Sequence, residues 1–164
     1  MLERITDPSE VRRWDGGLPV AHRYTPGVAG EAFFVALRDR GVFLGARCGS
    51  CGFTYAPARL FCERDFSELA ADVELGPGGT IRSFTIAFVD VDERPLEPSV
   101  TYALVQLDGA DALVLHRVID EGGDPLEIGS RVELVVRPPA ERTGSIMDVD
   151  GFRVVHAVDT DDGG

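Results

Sequence analysis

The stretch CGSCGFTYAPARLFCERD, residues 48–65, decides how the fold of this chain is interpreted. Cys48 and Cys51 form a C-x-x-C knuckle, and Cys62 begins a second knuckle after ten intervening residues. Two such knuckles bring four ligands to one zinc ion in a zinc ribbon. Position 65, where the fourth cysteine is expected, holds an aspartate. Because a carboxylate oxygen is an accepted zinc ligand, the spacing predicts a structural zinc site formed by Cys48, Cys51, Cys62 and Asp65.

Two alternatives to this ligand set stay open. Glu63, Glu68 or His22 could supply the fourth ligand instead of Asp65. The ribbon could also have lost its metal, with the three cysteines packed as small apolar residues. A catalytic zinc needs an open coordination position beside substrate-binding groups, and the surrounding sequence shows no such groups. We therefore expect a structural role for this stretch.

The composition describes an acidic globular chain. Its 164 residues carry a formal net charge of −12, and all 16 basic residues are arginine. The absence of lysine excludes a Schiff-base nucleophile and a Walker-type phosphate loop. No apolar run is long enough to span a bilayer, and the first residues lack the apolar centre of a secretory signal. With three cysteines suited to a reducing compartment, we expect a cytoplasmic protein without a membrane partner.

Four segments follow one another along the chain. We predict an N-terminal arm and helix at 1–41, a zinc ribbon at 42–70, a strand-rich barrel at 71–158 and a disordered tail at 159–164. The helix is expected at 30–40, where Phe33, Phe34 and Leu37 fall at helical spacing. About five or six strands are expected after residue 70, at 71–75, 80–91, 101–107, 112–119, 131–137 and 152–158, with GPGG at 76–79 as a turn. A partly open five-stranded barrel of the OB type fits this count.

The strand expected at 80–91 is apolar on both faces, around Phe84, Ile86 and Phe88. A barrel interior requires only one apolar face on each strand. We therefore expect something to cover the outer face, either the helix that carries Phe33 and Phe34 or another protein.

No catalytic constellation can be assembled from the sequence. The letters CGSC resemble the start of the papain-type signature, but Gly52 follows where Trp or Tyr is required, and the chain has no asparagine to orient a histidine. His22, His116 and His156 are scattered along the chain. None of the motifs G-x-S-x-G, G-x-G-x-x-G or H-E-x-x-H occurs. A free-standing enzyme is the weakest interpretation.

A family resemblance is carried by RYTPGVAGEAFFVALRDRGVFLGARCGSCGFTYAPARLFCERD at 23–65, GPGGTIRSFTIAF at 76–88 and IGSRVELVV at 128–136. These segments resemble the zinc-ribbon/OB-fold acyl-CoA-associated proteins, over nearly the whole chain from about residue 23 to residue 156. The resemblance implies a mainly β fold with an N-terminal arm and helix, a rubredoxin-like zinc ribbon and a C-terminal OB-fold barrel. The chain departs from the family pattern at Asp65, which replaces the last cysteine.

Members of that family are typically small non-catalytic subunits. The resemblance implies an accessory subunit of a thiolase-type complex (thiolase, aldolase or acyltransferase) that acts on acyl-CoA thioesters, for example in lipid, steroid or aromatic degradation. The partner is expected to be a thiolase-fold subunit in a heterotetramer, with the small subunit stabilising it and helping to form the channel for coenzyme A and the acyl group. A subunit of a hot-dog-fold enoyl-CoA hydratase complex is the alternative.

Two further predictions concern ligands. Arg59 and Arg82 are candidates for binding the phosphates of coenzyme A, because a guanidinium group binds phosphate bidentately. A single-stranded nucleic-acid-binding OB protein is the rival of a different class, since OB barrels and zinc ribbons both bind nucleic acids. The acidic net charge and the sparse arginines of the strands argue against that rival.

Overall fold

The computed structural model describes residues 24–119 and 126–155. Most of the predicted N-terminal arm, the predicted tail, His22 and His156 lie outside these residues. The described part contains a helix, α1 (Gly27–Arg40), and two short 3-10 helices at Pro139–Glu141 and Ile146–Asp148. Its strands are β1 (Phe43–Arg47), β2 (Thr54–Tyr55), β3 (Val73–Leu75), β4 (Gly78–Val89), β5 (Pro95–Leu107), β6 (Val114–Ile119), β7 (Arg131–Val136) and β8 (Val149–Val154). None of the described helices has the length and hydropathy needed to cross a bilayer.

Helix α1 begins at Gly27, three residues before the predicted start. The preceding Pro26 has φ −69°, which is a helical value, so the helix starts directly after it even though Gly27 and Gly30 are weak helix formers. Phe33 and Leu37 are buried on one face. The helix ends at Arg40 and is capped by Gly41, whose φ of +70° is left-handed and whose N–H donates to the Leu37 carbonyl at 3.0 Å. The buried face packs mainly against β1 and the two 3-10 helices.

A three-stranded antiparallel sheet in the order β2-β1-β3 supports the cysteine knuckles. Strand β3 follows the predicted domain boundary at residue 70 and pairs with β1, with Phe43 opposite Leu75. Both of these side chains are buried. The sheet of the zinc ribbon therefore includes a strand that leads directly into the barrel.

Strands β4 to β8 form a closed barrel in the order β4-β5-β6-β8-β7. The expected partly open barrel is wrong in this respect, because Gly78–Thr80 of β4 pairs with β7 and closes the sheet. The interior holds Ile81, Val105 and Phe152, each with no exposed surface. The predicted mainly β fold, with a helix, a zinc ribbon region and an OB-type barrel, is confirmed.

The predicted turn at 76–79 ends earlier than expected. Gly78 and Gly79 already belong to β4, and a Cβ atom on Gly79 would lie 2.7 Å from Val105 Cγ1 and 2.9 Å from the Gln106 carbonyl oxygen. Glycine is needed here because β5 approaches too closely for a side chain.

Strands β4 and β5 extend beyond the barrel as a two-stranded hairpin. Strand β5 begins at Pro95, six residues before the predicted start, because its first half pairs with β4. Among the described strands, β6 pairs with β5 only from Tyr102 onward, and β7 pairs with β4 only up to Thr80. We call residues 86–101 the hairpin extension.

The zinc ribbon and the barrel share hydrogen bonds as well as a core. The buried Thr54 of β2 donates its N–H to Asp111 Oδ2 at 2.8 Å, and its carbonyl accepts the N–H groups of Asp111 and Ala112. One apolar cluster contains Leu37 of α1, Phe43 of β1 and Ile81 of the barrel interior. The helix, the ribbon and the barrel are therefore packed as one body.

Candidate metal centre and docking hairpin

The structure brings Cys48, Cys51, Cys62 and Asp65 together at the tips of the two knuckles. One ligand atom from each residue can be chosen so that all four lie within 4.8 Å of one another. The Sγ atoms of Cys51 and Cys62 are 3.7 Å apart, and Cys48 Sγ is 3.3 Å from Asp65 Oδ2. Oxygen and sulfur ligands around zinc in a tetrahedron lie about 3.3 to 3.8 Å from one another. The residues present therefore fit a zinc ion.

The backbone of the second knuckle repeats that of the first, although its last ligand is an aspartate. In the first knuckle, the N–H of Gly52 donates to the Cys48 carbonyl at 2.9 Å. The N–H of Phe66 donates to the Cys62 carbonyl at the same distance. Gly52 and Phe66 both have positive φ, at +76° and +61°. Asp65 therefore stands on a backbone shaped like that of a cysteine knuckle.

Ser67 holds the carboxylate of Asp65. Its backbone N–H and its hydroxyl both donate to Asp65 Oδ1, at 3.0 Å and 2.6 Å. These bonds keep the pKa of the Asp65 carboxyl far below its usual range, the Ser67 hydroxyl being the largest cause. The carboxylate is therefore ionised at neutral pH, as metal binding requires.

The first thiol of the site is also prepared for metal binding. The backbone N–H of Cys51 lies 3.4 Å from Cys48 Sγ and is the largest cause that lowers the pKa of Cys48, to about 7. Cys48 is buried, so its environment stabilises the thiolate by hydrogen bonding and not by exposure to water. Zinc binds the thiolate form.

Sequence reasoning missed two residues that contact the ligands, Ser67 and Tyr55. The hydroxyl of the buried Tyr55 lies 3.3 Å from Cys62 Sγ and accepts the N–H of Glu63 at 3.2 Å. The bond to Cys62 raises the pKa of Tyr55, so the phenol stays protonated. The sequence D-x-S at 65–67 could have predicted the contact between Ser67 and Asp65, because Asp commonly accepts a hydrogen bond from the backbone N–H two residues later.

The other candidate ligands are placed elsewhere. Glu63 forms an ion pair with Arg59 at 2.6 Å, and Glu68 is not part of the four-residue cluster. The Arg59 guanidinium also lies over the Tyr55 ring, and Arg82 of β4 donates to Gln106 Oε1 at 2.9 Å. A cleft of about 610 Å³ lies between the hairpin extension and the barrel, and neither Arg59 nor Arg82 lines it. Their contact with coenzyme A stays a prediction.

The hairpin extension exposes apolar side chains. Ile86, Phe88, Val89 and Val91 are all exposed, with Phe88 at 65% and Val91 at 99%. The contacts of α1 are mainly with β1 and the 3-10 helices, so the expectation that this helix covers the strand is wrong for its outer half. Within residues 24–119 and 126–155, this stretch of apolar surface has no cover.

Comparisons with known proteins identify the family. Residues 35–70 match the family model of the ChsH2 rubredoxin-like zinc ribbon domain, and residues 72–137 match that of the ChsH2 C-terminal OB-fold domain. The chain is 30% identical over 99 residues to a DUF35 domain-containing scaffold protein of Methanothermobacter thermautotrophicus, covering 59% of this chain and 73% of that protein. This chain belongs to the DUF35 family. The resemblance seen in the sequence is thereby confirmed.

Further relatives of this DUF35 chain agree with that assignment. A DUF35 domain-containing scaffold protein of Methanocaldococcus jannaschii is 26% identical over 103 residues, covering 62% of this chain and 72% of that protein. A DUF35 protein of unknown function from Sulfolobus solfataricus has a similar solved structure, with a TM-score of 0.58, 24% identity, and coverage of 78% and 84% of the two chains. A chain of the Ltp2-ChsH2(DUF35) aldolase matches with a TM-score of 0.54 and 21% identity, over 76% and 93% of the chains. These two structures show the fold.

Proposed function

We propose that this chain is a non-catalytic accessory subunit of a thiolase-type enzyme complex that acts on acyl-CoA thioesters. The observation that carries the proposal is the hairpin extension, which exposes Phe88 and its apolar neighbours in a chain of the DUF35 family. Two relatives are described as scaffold proteins, and a chain of similar fold belongs to an aldolase. The family resemblance adds the thiolase fold of the partner.

The physics of the hairpin supports a partner. A two-stranded hairpin is at best marginally stable alone in water, and its unpaired edges invite pairing with another chain. Contiguous exposed apolar surface marks interaction sites in soluble proteins. A thiolase-fold subunit that packs against Ile86, Phe88 and Val91 would remove this surface from water.

The thiols and the histidine are the described groups to consider first for catalysis. All three thiols belong to the candidate metal centre. His116 is half-buried, and its Nδ1 has no hydrogen-bond partner among the described residues, so that nitrogen is not held by a carboxylate. We therefore assign the bond-making and bond-breaking steps to the partner.

The metal part of the proposal is a structural zinc ion held by Cys48, Cys51, Cys62 and Asp65. The fit rests on the 3.7 Å and 3.3 Å spacings between ligand atoms. When bound, zinc cross-links the two knuckles and contributes to folding free energy. Reduced thiols are required, so the cytoplasm stays the predicted compartment.

The stoichiometry of the complex and its coenzyme A channel are further parts of the proposal. The complex is proposed to be a heterotetramer, and this chain to line part of the channel for coenzyme A and a bulky acyl group. Arg59 and Arg82 keep their proposed role at the phosphates, for which each guanidinium would have to exchange its present partner, Glu63 or Gln106.

The test is co-purification of the tagged chain from its own host, followed by an activity assay. We expect a thiolase-fold subunit whose turnover of acyl-CoA thioesters rises when this chain is added back to it. Full activity of the large subunit alone would contradict the proposal. Recovery of a hot-dog-fold hydratase would support the alternative, and recovery of nucleic acid would support the rival class.

A further inference from the structure

The second knuckle differs from the first in two linked ways. Asp65 occupies the position equivalent to Cys51, and Ser67 occupies the position equivalent to Phe53, two residues later. In the second knuckle the backbone N–H of Ser67 donates to the Asp65 carboxylate. Only Ser67 adds a hydroxyl. A thiolate offers one sulfur, whereas a carboxylate offers two oxygens, so a carboxylate ligand has an orientation to be fixed.

We infer that Ser67 is the positioning residue that makes Asp65 a one-oxygen ligand of the metal. The inference rests on the zinc site proposed above. Oδ1 accepts both donors of Ser67, at 2.6 Å and 3.0 Å. Oδ2 lies 3.3 Å from Cys48 Sγ and is the nearer of the two oxygens, because Oδ1 lies 3.6 Å from the same sulfur. Ser67 therefore holds Oδ1 by two hydrogen bonds and leaves Oδ2, the oxygen nearer to Cys48, without a bond from Ser67.

The hydroxyl has a second neighbour, which gives a competing role. Ser67 Oγ lies 3.2 Å from Cys48 Sγ. A hydroxyl has one proton to donate, and Ser67 Oγ lies only 2.6 Å from Asp65 Oδ1. Oxygen is also a stronger acceptor than sulfur. The structure thus favours Asp65 as the acceptor, and the two roles can be separated by experiment.

Ser67→Ala in the full chain is the test, with zinc affinity measured by competition against a chromophoric chelator. Residues that hydrogen-bond to metal ligands typically contribute roughly 10- to 100-fold in metal affinity, so we expect a loss of about tenfold or more. X-ray absorption of the zinc-loaded proteins should show three sulfurs and one oxygen in the wild type. The variant should gain an oxygen, because its carboxylate is free to bind through both atoms.

Two matched variants control the measurement. Ser50→Ala removes an exposed hydroxyl from the first knuckle and is expected to leave affinity unchanged. Ser67→Thr keeps the hydroxyl and is expected to retain the wild-type affinity. A comparable loss in Ser67→Thr would show that packing is responsible and would overturn the inference.

A double-mutant cycle with Asp65→Cys separates the two roles of the hydroxyl. If Ser67 acts through the carboxylate, Ser67→Ala should cost affinity with Asp65 present and little in the Asp65→Cys background. An equal loss in both backgrounds would mean that Ser67 acts on Cys48, and the inference would be wrong. A wild-type chain that binds no stoichiometric zinc would refute the metal site itself. Tight wild-type binding with no effect of Ser67→Ala would refute only the positioning role.

Discussion

Replacing Phe88 with serine should weaken association with the catalytic subunit while leaving the fold intact. A phenylalanine side chain presents roughly 200 Å² of surface, and Phe88 is 65% exposed, so about 130 Å² is available for burial by a partner. At about 25 cal/mol per Å², complete burial of this surface is worth about 3 kcal/mol. The dissociation constant should therefore rise by up to about 100-fold. The stability of the isolated chain should change little, because few contacts of Phe88 lie inside it.

The assay is titration calorimetry with the purified partner, accompanied by thermal unfolding of each variant. Met147→Ser is the matched control, since Met147 is 62% exposed and lies outside the hairpin extension, in the 3-10 helix Ile146–Asp148. We expect the control to bind like the wild type. Equal affinities for Phe88→Ser and Met147→Ser would refute the assignment of the hairpin extension as the docking surface.

Three other predictions follow from single sites. Phe66→Gly should raise the free energy of unfolding by up to about 1 kcal/mol, measured by chemical denaturation, because the φ of +61° strains any residue with a side chain. The Phe66 side chain is mostly exposed, so little packing is lost. Phe66→Ala keeps the strain and should bring no such gain. Asp65→Cys should tighten zinc binding and intensify the sulfur-to-metal charge-transfer band of the cobalt-substituted protein; unchanged affinity and spectrum would argue against Asp65 as a ligand. His116→Gln should reduce the loss of stability on acidification. Burial lowers the pKa of His116 in the folded protein below the value of about 6.5 that holds in the unfolded chain. The unfolded chain therefore binds more protons as the pH falls below about 6.5, and the wild type loses stability there. Parallel melts of wild type and variant from pH 7.5 downward would check this, and identical slopes would contradict it.

The pattern of the sequence was sufficient to predict the order of the structural units. The C-x-x-C knuckle at Cys48 and the repeated apolar runs after residue 71 reflect local geometry, since knuckles and strands impose short spacings on the chain. The approach of Asp65 to the three cysteines also follows from equal knuckle lengths.

The features that the sequence did not predict depend on contacts between residues that are distant in the chain or on the direction of a side chain. Pro95 and Pro98 suppress the strand pattern, and only the pairing of β5 with β4 shows that this segment is extended. Gly79 looks like a turn residue, although its requirement comes from the backbone of β5. The role of Ser67 depends on the direction of a side chain relative to two ligands, which letter spacing does not encode.

The hydrogen bonds of Thr54 bear on how the chain can be divided. The two matched family models meet near residue 71, as though each described a separable piece. Yet Thr54 is tied to Asp111 and Ala112 by three bonds, and β3 completes the ribbon sheet after the boundary. A barrel fragment alone would lose the cover of its end and the Thr54 carbonyl that accepts the N–H groups of Asp111 and Ala112. Unfolding should thus be a single cooperative transition, and metal loss should lower the melting temperature of the barrel as well.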